Sequence, residues 1–239
     1  MVDKLKLKQE VVDPGKEFFD RCKSKGVDYS FYGDWQTNYG KFVISVSNVL
    51  PVLQKSSMSL LDVGTACGVG LKGIKASGVF TKLVGTDISP YLIGLGKKLH
   101  GFSDEELIVI DARELVEYFD AESFDLIHCS QTLEHIPEES ISGVFEQFHQ
   151  LLSPRGVLML VVDAVSDKQT AEMLKDKEPS HLTIRTRKWW SDKMSNSFRL
   201  DPDAQQRFAR AKFSPDNSAK TFYDYYREEW AVLVGLKKK

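Results

Sequence analysis

From residue 59 onward, short apolar runs rich in β-branched residues alternate with longer stretches of helical period. Strands are predicted at 60–63, 83–86, 107–110, 125–129 and 157–162, with helices at 68–77, 90–100, 112–119 and 138–152. Such alternation predicts a mostly parallel sheet with helices on both faces, and strands that are apolar throughout fit burial on both sides. Ser89-Pro90 offers an N-cap followed by proline at the first helical position, and Ser153-Pro154-Arg155-Gly156 offers a stop for the fourth helix. The flanks break the pattern. Residues 1–58 read as helical, with helices opening at Pro14 and spanning about 36–54 around an aromatic-dense loop at 29–35, and form an expected helical lid over a core of residues 59–239. Beyond the fifth strand a helix is expected at 187–194, an excursion or mobile loop at about 195–220, and a last strand at 229–236.

Composition narrows the classes. At 239 residues, 42% hydrophobic and 28% charged, the chain can build a full core without disulfide staples. Its longest apolar run, 156–162, falls far short of the roughly 20 residues that span a bilayer. The opening MVDKLKLKQEVVD has no signal-peptide core, and Cys22, Cys67 and Cys129 form no CxxC pair, so a reducing, cytoplasmic setting is expected, with no membrane partner and no zinc site. A net charge of -2 argues against nucleic acid as a partner. Charge is nonetheless uneven, acidic up to Val165 and basic after it, as either a basic lip beside an anionic substrate or a solvated face would produce.

The chemistry concentrates in Ser59-Leu-Leu-Asp62-Val-Gly64-Thr65-Ala66-Cys-Gly68-Val-Gly70. Small residues directly after a buried strand let the backbone approach a ligand, and the next helix begins with unpaired N–H groups. A tight turn alone would account for one glycine, not for four small positions in seven. Gly68-x-Gly70-x-x-Gly73 has the spacing of a dinucleotide fingerprint with Asp87 at a suitable distance, but its first glycine comes five residues after the strand end rather than directly at it. Counted from the strand, the pattern is Asp62-x-Gly64-x-Ala66-x-Gly68.

That pattern resembles motif I of the class I S-adenosylmethionine-dependent methyltransferases, with Ala66 in a glycine's place, a change expected to be tolerated if its φ is negative. Val84-Gly-Thr-Asp87-Ile88, Ile110-Asp111-Ala112, the stretch from Phe124 through Ser130-Gln131-Thr-Leu-Glu134-His135, and Leu151-Leu-Ser-Pro-Arg-Gly156 resemble further motifs in the family's order. The resemblance implies a Rossmann-like, doubly wound, mostly parallel seven-stranded sheet. It implies S-adenosylmethionine as cofactor, with S-adenosylhomocysteine as product. Asp87 would grip the ribose hydroxyls beside Ile88, and Asp111 with Ala112 would meet the adenine. Asp62, Gly64, Thr65, Ala66, Gly68, Ser130 and Gln131 would line the remainder, and Tyr39 would close over the methionine part.

Methyl transfer from a sulfonium needs alignment and, for a hydroxyl or ammonium acceptor, removal of a proton. His181, in a segment resembling a substrate-facing loop of the family, and His135 are the candidate proton acceptors; His128, inside a strand, is expected to be a packed core residue. Trp35, Gln36 and Arg185 are placed at the acceptor. Relatives in ubiquinone biosynthesis hold a divalent cation with Glu-x-x-Glu-His; here Gln131 replaces the first glutamate, and no metal site is expected at this motif. The expected activity is transfer of a methyl group to an oxygen or nitrogen of a small molecule such as a sugar, a secondary metabolite or a quinone precursor, by a monomer or homodimer. A nicotinamide-dependent oxidoreductase and a catalytically silent binding subunit are the alternatives.

Overall fold

The computed structural model describes residues 13–24, 26, 57–165, 180–210 and 230–238. The strands are β1 (Met58–Val63), β2 (Phe80–Asp87), β3 (Leu107–Val109), β4 (Phe124–Ser130), β5 (Leu152–Val165), β6 (Arg185–Thr186), β7 (Phe198–Leu200) and β8 (Trp230–Lys237). The helices are α1 (Pro14–Ser24), α2 (Val69–Lys75), α3 (Pro90–His100), α4 (Glu138–Leu151), α5 (Arg187–Ser195) and α6 (Pro202–Arg210).

Seven strands run in the order β3-β2-β1-β4-β5-β8-β7, and the two-residue β6 pairs with β5 as an eighth. Strands β1 to β5 are mutually parallel, whereas β8 runs antiparallel to both β5 and β7. The expected doubly wound sheet is therefore present, with eight strands where seven were expected. Burial follows the pleat. Leu61, Ile127 and Leu160 join Phe145, Phe148 and Trp190 on one face, while Leu60, Leu126 and Met159 meet Leu71 and Ile93 on the other.

Two local expectations change. Residues 112–119 form only a 3-10 turn at Leu115–Glu117, because Gln147 of α4 accepts from Val116 N and donates to Arg113 O, taking up backbone groups a helix would use. Residues 153–156 interrupt β5, since Phe124 pairs with Leu152 and Leu126 already with Val157. Within the stretch expected as an excursion, β7 and α6 occupy 198–210, and residues 211–220 lie outside the described residues; Asp201 caps α6, its Oδ1 accepting from Ala204 N at 2.8 Å ahead of Pro202. That Asp-Pro start was legible as a helix signal.

Helix α1 is stitched to α3. Asp13 accepts from Lys16 N in its own helix, and from Ser89 Oγ and Tyr91 N at the start of α3, while Phe19 meets Tyr91 edge-on at 5.5 Å. Among the described residues no helix is long and apolar enough to cross a membrane.

Candidate active site

The strand order reverses at β1, which has β2 on one side and β4 on the other, so a crevice opens at the carboxyl ends of β1 and β4. Asp62 organises it from below. It is 7% exposed, and its two oxygens meet His128 Nδ1 at 2.7 Å and Thr65 Oγ1 at 2.6 Å, tying β1 to β4 and to the glycine loop. His128 is the buried core residue expected, and Asp62 serves the loop's shape rather than facing outward.

The loop itself is held by β2. Gly64 N and Thr65 N both donate to Thr86 O, and Ala66 N donates to Asp87 Oδ2 at 2.9 Å. Gly64 has φ 75, and a Cβ there would lie 1.9 Å from Thr132 Oγ1, so the β1 and β4 loops touch only because the side chain is absent. Gly68, with φ 74, is the N-cap residue of α2. Ala66 corrects an expectation: its φ is 52, in the left-handed region rather than negative. An alanine there costs about 1–2 kcal/mol. Ala66→Gly is therefore expected to raise the melting temperature by roughly 2–4 °C, a shift readable by calorimetry.

Asp87 ends β2 with Oδ1 accepting from Ser89 N at 2.9 Å. Burial pushes its carboxyl up to about 6, against the lowering effect of the Ser89 and Ala66 N–H groups and with a further push from Asp13 and Asp62. Beside it Ile88 is 50% exposed, an apolar surface facing out at the strand end. Asp111 follows β3, next to the buried Ala112, and Arg113 holds it through Nε at 3.0 Å and through its own backbone N at 2.9 Å. Burial raises the Asp111 carboxyl, but these bonds outweigh it and leave it below the ordinary value. Arg113 was not foreseen as part of this corner, although its position two residues after the acid suggests such a fork.

At the end of β4, Ser130 O accepts from Thr132 Oγ1, and Gln131 is the second left-handed non-glycine residue of the site, with φ 53. Its backbone N donates to Val161 O at 2.8 Å, whereas its side-chain Nε2 is buried with no hydrogen-bond partner. A left-handed backbone and a buried, unsatisfied donor together are the usual marks of a ligand-facing residue.

Further along the same edge, Glu134 and His135 form a 3-10 turn whose carbonyl at Glu134 accepts from Leu182 N and Thr183 N, clamping the 180–184 segment beneath it. His181 thereby comes to rest 4.8 Å from the His135 ring, edge to face, with its Nδ1 3.5 Å from Asp163 Oδ2. The two histidines expected at the acceptor are thus brought together. Asp163 of β5 and the fully buried Glu134 were missed as members of this cluster; the carboxylates inside the Leu133-Glu134-His135 (LEH) stretch and at the end of the fifth strand were the available signals. Burial, with Asp163 adding like charge, raises the Glu134 carboxyl to about 8. Arg185 is paired with Glu138 at the start of α4. Trp35, Gln36 and Tyr39 lie outside the described residues.

A family profile described as a methyltransferase domain matches residues 37–208. The chain belongs to the class I S-adenosylmethionine-dependent methyltransferases. The ubiquinone biosynthesis O-methyltransferase of Xanthomonas oryzae pv. oryzae is 32% identical over 112 residues, covering 45% of this chain and 44% of that protein. The chain thus spans under half the length of the curated relatives it matches. Among solved structures, a methyltransferase complexed with the Trm112 activator of Haloferax volcanii has a TM-score of 0.68 at 15% identity, covering 96% of this chain and 100% of that one. Phosphoethanolamine N-methyltransferase 2 of Haemonchus contortus, with phosphomonomethylethanolamine and S-adenosylhomocysteine, has a TM-score of 0.62 at 18% identity, covering 95% of this chain and 61% of that one.

The residues of this methyltransferase suit the cofactor its family uses. Carboxylates at the ends of β2 and β3 are acceptors for hydroxyl and amino groups, Ile88 gives an apolar face between them, and Gln131 Nε2 supplies an unsatisfied donor for a carboxylate or carbonyl.

Proposed function

We propose that this methyltransferase moves a methyl group from S-adenosylmethionine to an oxygen or nitrogen of a small-molecule acceptor, a sugar, a secondary metabolite or a quinone-type ring. The cluster of His135, His181 and Asp163 at the carboxyl edge of β4 and β5 carries this reading, because two imidazoles and a carboxylate in contact can orient an acceptor and take its proton. When bound, the cofactor supplies an already activated methyl group on a sulfonium. The protein's tasks are alignment and proton removal.

In this reading Asp87 holds the ribose hydroxyls, and Asp111, presented by Arg113, meets the adenine. Gln131 takes the methionine end, with Asp62, Gly64, Thr65, Ala66 and Gly68 shaping the floor. His181, oriented by Asp163, accepts the proton of the acceptor's hydroxyl or ammonium group, and His135 supports it. The similarity to a ubiquinone-pathway O-methyltransferase supports a hydroxylated ring among the acceptors. Trp35, Gln36 and Tyr39 complete the lid over this chamber, the acceptor is a small molecule rather than nucleic acid, and the chain works as a monomer or homodimer in the cytoplasm.

Titration calorimetry with S-adenosylmethionine, S-adenosylhomocysteine, NAD and NADP tests the cofactor. The first two are expected to bind at least tenfold more tightly than either nicotinamide nucleotide, and the reverse order would overturn the reading. A screen of sugars, phenols and amines for S-adenosylhomocysteine release then sorts the acceptor class.

A further inference from the structure

The LEH stretch leaves one group that methyl transfer does not use. Glu134 is fully buried, its Oε1 lies 3.4 Å from Asp163 N, and its Oε2 has no hydrogen-bond partner. A buried carboxylate oxygen without a donor is tolerated only when a proton or a cation sits on it. One ligand-capable atom each from Glu134, Asp163 and His181 lies within 4.8 Å of the other two. Ligand atoms on one divalent ion with bonds of about 2.1 Å stand roughly 3–4 Å apart, so a closure of about 1 Å seats an ion among them.

We propose that Glu134, Asp163 and His181 form a binding site for a divalent first-row transition cation at the acceptor end of the crevice. Two carboxylates and a neutral imidazole balance the ion's charge, and one nitrogen with two oxygens suits manganese or iron(II) better than a soft thiolate-seeking metal. Asp163 is the most open of the three, with 15% of its side chain exposed against 7% for His181, so the remaining coordination positions face the crevice through it. The set differs from a Glu-x-x-Glu-His arrangement: Gln131 and His135 are not in it, and Asp163 and His181 enter from β5 and the segment after it. That distant pairing is why the spacing of residues 131–135 alone gave no metal site.

The inference rests on the proposed function only for what the ion would touch, namely an oxygen of the acceptor. While the cation holds Nδ1 of His181, the ion would acidify the acceptor oxygen it binds and His135 would take the proton, whereas without the ion His181 is the base, so loss of His181 lowers turnover in either state. Binding itself needs neither cofactor nor acceptor.

Manganese(II) binding to the full chain, stripped with a chelator and measured by electron paramagnetic resonance of the free ion, tests the site. One equivalent is expected to bind, with Glu134→Gln and Asp163→Asn each weakening it at least tenfold and His149→Ala, a surface histidine, leaving it unchanged. Circular dichroism identifies any variant that fails to fold, and the other carboxylate variant then decides. No uptake by the parent protein, or uptake indifferent to both folded carboxylate variants, overturns the site. Either result leaves the calorimetric test of cofactor binding untouched, so failure of the site and failure of the methyltransferase reading are distinguishable.

Discussion

Asp87→Ala is expected to weaken S-adenosylmethionine binding by at least an order of magnitude, and by up to about 10⁴-fold. Two charge-assisted hydrogen bonds to the ribose hydroxyls, each worth about 1.5–3 kcal/mol, disappear together. The same side chain also receives Ala66 N and Ser89 N, so alanine strands two backbone donors and costs stability as well. Asp87→Asn separates the effects, because its carbonyl oxygen keeps one of those bonds while the charge is gone. Calorimetry on the folded asparagine variant decides the matter; an affinity equal to the parent's would remove Asp87 from the ribose.

The acid's position near 6 gives this result a pH signature. A carboxyl raised above its ordinary 3.8 favours the protonated form in the folded state. Its contribution to stability is therefore complete below about pH 4 and lost as pH rises through 6, a difference of roughly 3 kcal/mol. Cofactor binding runs the other way, since the ribose hydroxyls need the ionised acceptor. Affinity is expected to fall as pH drops below 6, and the asparagine variant is expected to lose that dependence.

His181→Ala is expected to lower turnover by about 10²–10⁴-fold with cofactor affinity nearly unchanged. His181 is 6% exposed and packs against His135, so the truncation also leaves a void. His181→Gln fills more of that void but cannot take a proton, and it is expected to lose turnover to a similar extent. A purely structural role predicts recovery in the glutamine variant and an unaltered pH–rate profile. Turnover within a few-fold of the parent, measured on the true acceptor, would leave alignment as the whole mechanism.

Much of this architecture is written locally. The β-rich runs place β1 to β5 and β8, because a strand buried on both faces must be apolar along its length, and Ser89-Pro90 marks the first residue of α3 because cap and proline act within one turn. The acids at 62, 87 and 111 could be placed at successive strand ends for the same reason. Which way each acid points could not. Asp62 turns inward to His128, a contact across two strands, and Asp111 is taken by Arg113.

The backbone at Ala66 shows a second limit. Its left-handed φ is imposed by Asp87 Oδ2 accepting its N–H from the neighbouring strand, so a residue that favours negative φ is held against its preference by tertiary hydrogen bonding. Likewise residues 112–119 have a helical pattern, yet Gln147 from α4 intercepts their backbone groups.

By itself, the sequence determined the sheet, the glycine loop, the three acids at successive strand ends and the positions of the two histidines, since each follows from local periodicity or from motifs short enough to be contiguous. Only the tertiary structure decided that Glu134, Asp163 and His181 meet. They come from the turn after β4, from β5 and from the segment after it, and they converge because Leu182 N and Thr183 N bond to Glu134 O while Thr183 Oγ1 bonds to Ile136 O. No spacing along the chain encodes that clamp, because it forms only after β4 and β5 have paired.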